Sequence, residues 1–273
     1  MIIGTRNHDF GRYSIEELPK MIREKGFGAA QLVLPKAFIE IGSYEEATPD
    51  ILRKIKESFD REGIRIGVLG CYMDFGNPDE KVRKKAVETF KRVLAYGKEL
   101  KAETVGTETA FPRLTEEEKE IWYPYMIDSL EQIVEEAERI NQKIGLEPVH
   151  WHPLDTAEVT EKIFKKFNSK YLKMIFDPVN LLKFKPEIDQ KLYLQEWIDK
   201  LGNEIDVLHT KNFTRDEEGQ YCPSSLEEGI IDYTWIFRWL KKNRPDTVII
   251  REEIQPKNCE KDVRYIKELW ENC

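Results

Sequence analysis

The stretch KIGLEPVHWHPLDTAEVTEKIFKKFNSKYLKMIFDPVN, residues 143–180, sets out the pattern that decides the fold. A short apolar run, KIGLEPV, leads to an amphipathic segment, Ala157 to Phe167, and then to a second apolar run, LKMIFD. A strand, a helix and a further strand in that order make one unit of a parallel sheet with helices outside it. Each apolar run also ends on a carboxylate, Glu147 in the first and Asp177 in the second.

Outward from this stretch the rhythm repeats. Further strand candidates are MIIGT, AAQLVL, IRIGVLGCY, ETVGTE, IDVLHTK and TVIIREE. Helix candidates are Ser14 to Lys25, Thr48 to Glu62, Asp79 to Leu100, Thr115 to Gln142, Leu192 to Leu201, Tyr233 to Asn243 and Glu260 to Trp270. Ser14-Ile-Glu-Glu and Thr115-Glu-Glu-Glu each offer a cap with a carboxylate three residues on. Gly26, Gly63, Gly145 and Gly202 mark helix exits. Eight such units in 273 residues predict one α/β domain, residues 1–273, folded as a closed (β/α)8 TIM barrel. An open doubly wound sheet is the runner-up, but the first strand lacks the GxGxxG turn of a dinucleotide fold. Residues 183–190 and the polar stretch Thr214 to Ser225 read as long surface connections on the catalytic face.

Composition narrows the class. With 40% hydrophobic and 34% charged residues, the chain has the makings of a substantial core under a charged surface. A net charge of -8 speaks against nucleic acid as partner. No apolar run approaches the ~20 residues needed to span a bilayer, and no signal peptide is visible. Cys71, Cys222, Cys259 and Cys273 form no metal-binding spacing, so a cytoplasmic location with reduced thiols is expected. Self-association into a homo-oligomer is compatible with all of this.

The four histidines, His8, His150, His152 and His209, all fall where strand-like runs end. In a barrel such residues converge on one mouth. Glu147, Asp177, His209 and Glu252 close the fifth to eighth runs. Buried carboxylates are costly without compensation, and three oxygen donors with one imidazole suit a single divalent ion, Mn, Mg, Co or Zn. Strand alternation favours Glu252, which shares a face with Ile250, over Glu253, which shares an outward or rim-like face with Arg251. Glu253 stays open as the alternative.

IGLEPVHWHP, MIFDPVNLL, VLHTKNF, GIIDYTWI and VIIREEI, in this order, resemble the xylose isomerase-like TIM-barrel superfamily. NHDFG, YMDFGNPDEKVR and VGTETAF extend the similarity over the first half. That group holds sugar (phosphate) isomerases and epimerases, inosose dehydratases and endonuclease IV-type enzymes. The resemblance implies Glu147, Asp177, His209 and Glu252 as metal ligands, and Glu147 and Glu252 as acid and base on opposite faces of the substrate. It implies isomerisation or epimerisation of a sugar, a polyol-derived ketose or a sugar phosphate through a metal-stabilised enediolate. A dehydratase or keto-acid isomerase would use the same residues. A trinuclear zinc phosphodiesterase needs more histidines than this chain has, and a non-catalytic sugar sensor has no need of two opposed glutamates.

Substrate contacts are expected from His8, Glu108, His150, His152, Asn180 and Lys211. For His8 the alternative is a loop histidine bonded to Asp9, and for Glu108 a structural carboxylate bonded to Thr107 or Thr109. His150 and His152 follow Glu147 closely enough that at least one should face the mouth. Asn180 stands where the superfamily often has His. Asn212 replaces the usual Asp after His-x-Lys, which bears on the support of Lys211, and the default for Lys211 is a solvated lysine. Phe10, Tyr72, Phe75 and Trp151 are candidates for an apolar wall or for ordinary packing. No glycine-rich phosphate cradle follows strands seven and eight, which favours an unphosphorylated substrate.

Overall fold

A computed structural model of the chain describes residues 1–182 and 189–273. Two parts of the chain form compact units: Met1–Gly67 with Asp177–Val179 and Asp206–Cys273, and Val68–Phe176 with Asn180–Ile205. The first supplies strands β1 (Ile2–Arg6), β2 (Ala29–Leu32) and β3 (Arg65–Gly70, shared with the second) and helices α1 (Leu18–Glu24), α2 (Leu34–Ala37) and α3 (Pro49–Glu62). The second carries α4 (Glu80–Leu100), β4 (Thr104–Thr107), α5 (Glu116–Ile140), β5 (Ile144–Leu146), α6 (Ala157–Phe167) and β6 (Leu172–Phe176). After α7 (Pro178–Leu182) and α8 (Gln190–Leu201) come β7 (Ile205–Thr210), β8 (Asn212–Arg215), β9 (Tyr221–Ser224), α9 (Thr234–Asn243), β10 (Val248–Arg251) and α10 (Cys259–Glu271). The strand order β1-β10-β7-β6-β5-β4-β3-β2 closes on itself, so the expected (β/α)8 barrel is the fold.

Helix starts follow local chemistry. Thr48 accepts from the Ile51 N–H ahead of Pro49, and Asp79 accepts from Lys81 and Val82 N–H. Thr115 and Glu118 satisfy each other's backbone in a full capping box at the head of α5. The first helix departs from expectation. Ser14 and Glu17 do bond reciprocally, but only in a turn; α1 begins at Leu18, with Pro19 in its first turn where a missing N–H costs nothing. Gly145 is not a helix exit. Asn141 ends α5 in the left-handed region, while Gly145 lies inside β5, where an added Cβ would come within 2.8 Å of Ile175. Gly202 does follow α8, but in right-handed geometry leading into a 3-10 turn.

The largest omission of the sequence reading is the antiparallel hairpin β8–β9, which occupies much of the supposed Thr214 to Ser225 loop. Of the other expected connection, residues 183–188 lie outside the described residues.

Register brings the mouth residues of the first unit into line. Parallel pairing sets Arg6 beside Gln31, Thr5 beside Arg251 and Ile250 beside His209. The Glu252 N–H then continues the ladder to the Thr210 carbonyl. Behind these strands Arg251, fully buried, pairs with Asp262 of α10 at 2.8 Å and donates to the carbonyls of Ser224 and Glu252. The face shared by Arg251 thus points into the helix layer rather than to a rim.

Asn212 is buried directly after Lys211. Its amide donates to the Leu226 and Ile231 carbonyls and accepts from Ile231 N–H, holding residues 226–231 against β8. Gly229 makes this approach feasible, since a Cβ there would lie 2.0 Å from Asn212 Cγ. Gly229→Ala should therefore displace the amide and cost about 2 kcal/mol, lowering the Tm by roughly 5 °C in a thermal melt. An unchanged Tm would show that this contact does not hold the segment.

Candidate metal centre and catalytic site

Glu147 follows β5 directly, Asp177 follows β6, His209 is the penultimate residue of β7, and Glu252 follows β10. All four are buried, at 2%, 1%, 0% and 3% exposure respectively. Glu147 belongs to the second unit and the other three to the first. Around His209, Nδ1 lies 3.4 Å from Glu252 Oε1 and 3.8 Å from Asp177 Oδ2. Two carboxylates and an imidazole at this spacing fit a hard or borderline divalent cation by donor chemistry.

The two consecutive glutamates separate clearly. Glu253 has a left-handed backbone, φ 51°, uncommon for a residue with a side chain, which sets it apart from strand alternation. Its carboxylate accepts a hydrogen bond from the Tyr221 hydroxyl of the hairpin. Glu252 is the one beside His209.

Lys211 reaches the same place. Its ammonium lies 2.7 Å from Asp177 Oδ2, 3.4 Å from Glu252 Oε2 and 3.9 Å from Glu253 Oε1. Asn212 takes no part in holding that ammonium, being committed to the 226–231 segment. The Lys211 backbone is fixed by Tyr233, whose hydroxyl accepts from its N–H and donates to its carbonyl. Burial, then the charge of Asp177, pushes the Tyr233 phenol well above its ordinary value, so it stays protonated to donate.

Two residues escaped the sequence reading. Arg6 Nη1 lies 3.2 Å from Glu252 Oε2, and Gln31 Nε2 donates to Glu252 Oε1 at 2.7 Å. The available signals were an arginine at the end of the first apolar run and a glutamine within AAQLVL. Burial alone would raise the Glu252 carboxyl. The charges of His209, Arg6 and Lys211, with the Gln31 bond, outweigh burial and hold it well below the usual range.

The expected substrate contacts divide by position. His8 sits on the 3-10 turn after β1, and its Nδ1 is buried without a hydrogen bond among the described residues. Asp9 turns instead to Arg6 and the Ile254 N–H. Burial, then Arg6 and Lys36, pulls His8 down to about 4, leaving a neutral imidazole at pH 7. In the second unit, Asn180 Nδ2 donates to Glu147 Oε1 at 2.5 Å. His152 is buried with Nδ1 3.7 Å from Glu108 Oε2, while Thr107 Oγ1 donates to the Glu108 backbone carbonyl rather than its carboxylate. His150 is half-buried, and its carbonyl accepts from Lys119, which also pairs with Asp155 and so pins the loop after β5. Among the aromatic candidates, Phe75 is fully buried against Phe90 and belongs to the core. Trp151 is half-buried between the rings of His150 and His152; Phe10 and Tyr72 are half-buried.

A parallel barrel carrying this constellation defines the class of protein. The xylose isomerase-like TIM barrel model matches residues 19–269, and the chain belongs to that family. Its fold resembles a D-tagatose 3-epimerase-like protein, with TM-score 0.78 and 23% identity over 99% of this chain and 97% of that one. It also resembles 3-keto-D-glucoside 4-epimerase from E. coli, with TM-score 0.74 and 16% identity over 98% and 99%. A third is a xylose isomerase-like barrel from Mycobacterium smegmatis in complex with magnesium, with TM-score 0.73 and 18% identity over 98% and 96%. At such identities these likenesses speak to fold alone. No curated protein sequence matches the chain. Among the described residues, no helix is long and apolar enough to cross a membrane.

Lys211→Met removes a buried cation from two buried carboxylates, a loss of about 3–5 kcal/mol where nothing replaces it. Its Tm should fall in EDTA and recover in saturating Mn²⁺ by a larger margin than the wild type gains. Equal deficits under both conditions would contradict a shared site for Lys211 and a metal.

Proposed function

We propose that the chain is a divalent-metal-dependent isomerase or epimerase of a sugar or polyol-derived ketose, working by glutamate-mediated proton transfer. The single observation that carries this reading is that Asp177 and Glu252 both face the His209 imidazole, their oxygens 3.8 and 3.4 Å from its Nδ1, with Glu147 the fourth expected ligand. A divalent cation held by these four would supply Lewis acidity toward a substrate carbonyl and the hydroxyl beside it.

The chain's own residues do the rest. One of Glu147 and Glu252 takes the proton from the carbon next to the carbonyl, and the other returns it at the same or the adjacent carbon. The Lys211 ammonium offsets negative charge that develops on substrate oxygen. Neutral His8 can accept from or donate to a hydroxyl, and His150, His152, Glu108 and Asn180 are the remaining candidates for hydroxyl contacts. The Arg6 and Lys211 cations are already engaged by Asp9, Asp177 and Glu252, so an unphosphorylated substrate suits the charge balance better than a phosphate ester. The protein would act as a soluble cytoplasmic enzyme on a small carbohydrate.

Ketoses incubated with enzyme and Mn²⁺ in D₂O should take up solvent deuterium at the epimerising carbon. Glu147→Gln and Glu252→Gln should each lower that uptake by roughly 10²–10⁴-fold while keeping a wild-type circular dichroism spectrum. Wild-type uptake in either variant would remove that residue from the acid–base role. A product lighter by one water would instead favour the dehydratase chemistry open to the same glutamates.

A further inference from the structure

Arg6 stands beside Glu252, one residue beyond the paired Thr5 and Arg251 of β1 and β10. Its guanidinium has two occupied sides. Nε and Nη2 both close on Asp9 Oδ1, at 2.8 and 2.7 Å, while Nη1 lies 3.2 Å from Glu252 Oε2. Asp9 in turn accepts from the Ile254 N–H through its other oxygen, at 3.2 Å. The first strand end is thereby tied to the backbone two residues past Glu252 and, through Arg6, to the Glu252 carboxylate itself. Gln31, in register with Arg6 on β2, takes the opposite oxygen of that carboxylate.

A carboxylate held at both oxygens by side chains from two neighbouring strands cannot rotate about its terminal bond without breaking a hydrogen bond. A proton-transferring group misplaced by about 1 Å can lose 10²-fold in rate, so such a clamp has kinetic value. A planar guanidinium suits the task because its fork can be braced on one edge while the other edge donates. The Arg6 side chain keeps 21% of its surface exposed, so it is not a core prop whose loss would empty the barrel.

We infer that Arg6 is a positioning residue that fixes the Glu252 carboxylate for proton transfer, with Asp9 bracing the guanidinium. This rests on the reading of Glu252 as an acid–base group and adds to it a residue that acts through that group. The guanidinium also places a positive charge beside a metal ligand, so its removal should favour cation binding even as it harms catalysis.

The test uses Arg6→Met, Arg6→Lys, Asp9→Asn and the Arg6→Met/Asp9→Asn double variant, with deuterium uptake and calorimetric titration by Mn²⁺ measured on each. Arg6→Met should lower kcat for exchange by about 10- to 100-fold with KM changed less than about threefold. Arg6→Lys should recover part of that loss. Asp9→Asn should lose less, and the double variant should be no slower than Arg6→Met, because Asp9 acts on the rate through Arg6. Mn²⁺ should bind Arg6→Met at least as tightly as the wild type. Wild-type exchange in Arg6→Met would overturn the proposal, as would Mn²⁺ affinity and exchange falling together, which would mark the arginine as a structural support. Glu252→Gln serves as the reference: retained exchange there would overturn the underlying reading instead.

Discussion

Everything at the mouth of this barrel depends on compensating buried negative charge. Glu147, Asp177 and Glu252 are almost wholly removed from water, and an ionised carboxylate in such surroundings is untenable without a cation or convergent donors. The chain answers in part. Lys211 sits against Asp177 and Glu252, Arg6 and Gln31 hold the oxygens of Glu252, and Asn180 donates to Glu147. The guanidinium is shared with Asp9 and the ammonium approaches Glu253 as well, so among the described residues each of these cations serves more than one carboxylate. That sharing of charge is the physical case for a divalent ion.

The surrounding structure keeps these groups from relaxing away. On the outer side of β10, the fully buried Arg251–Asp262 pair is bonded to backbone at Ser224, Leu226 and Glu252, joining the hairpin, α10 and the strand that carries Glu252. Tyr233 fixes the backbone of Lys211 from both sides. Asn212, which replaces the expected aspartate, secures the 226–231 segment and leaves the Lys211 ammonium to Asp177. The fold spends several buried polar groups on keeping the ends of β7 and β10 in place. A rigid supporting shell is what a functional site of fixed geometry requires.

The barrel and its strand-end residues were legible because both follow from short-range rules. Apolar runs alternating with amphipathic segments specify strand and helix, and parallel strands must deliver their carboxyl ends to one face. Glu147, Asp177, His209 and Glu252 could be found that way. Preference for Glu252 over Glu253 followed from alternation, although the outer face proved to be buried ion-pair territory, with Arg251 under α10, and Glu253 is set apart by a left-handed backbone. What escaped needed three-dimensional neighbours. Arg6 and Gln31 lie far from Glu252 in sequence and meet it only through the β2–β1–β10 register. The β8–β9 hairpin has polar strands with little hydrophobic alternation, so it read as loop. Pro19 delayed α1 despite a plausible cap at Ser14, and Gly145 serves a crowded strand instead of a helix end.

Anomalous diffraction from crystals grown with Mn²⁺ tests whether the barrel mouth holds one divalent ion. One strong peak per chain is expected, with Glu147, Asp177, His209 and Glu252 all supplying atoms at roughly 2.0–2.3 Å. No peak at the barrel mouth, or a peak that leaves these four side chains unligated, would contradict it.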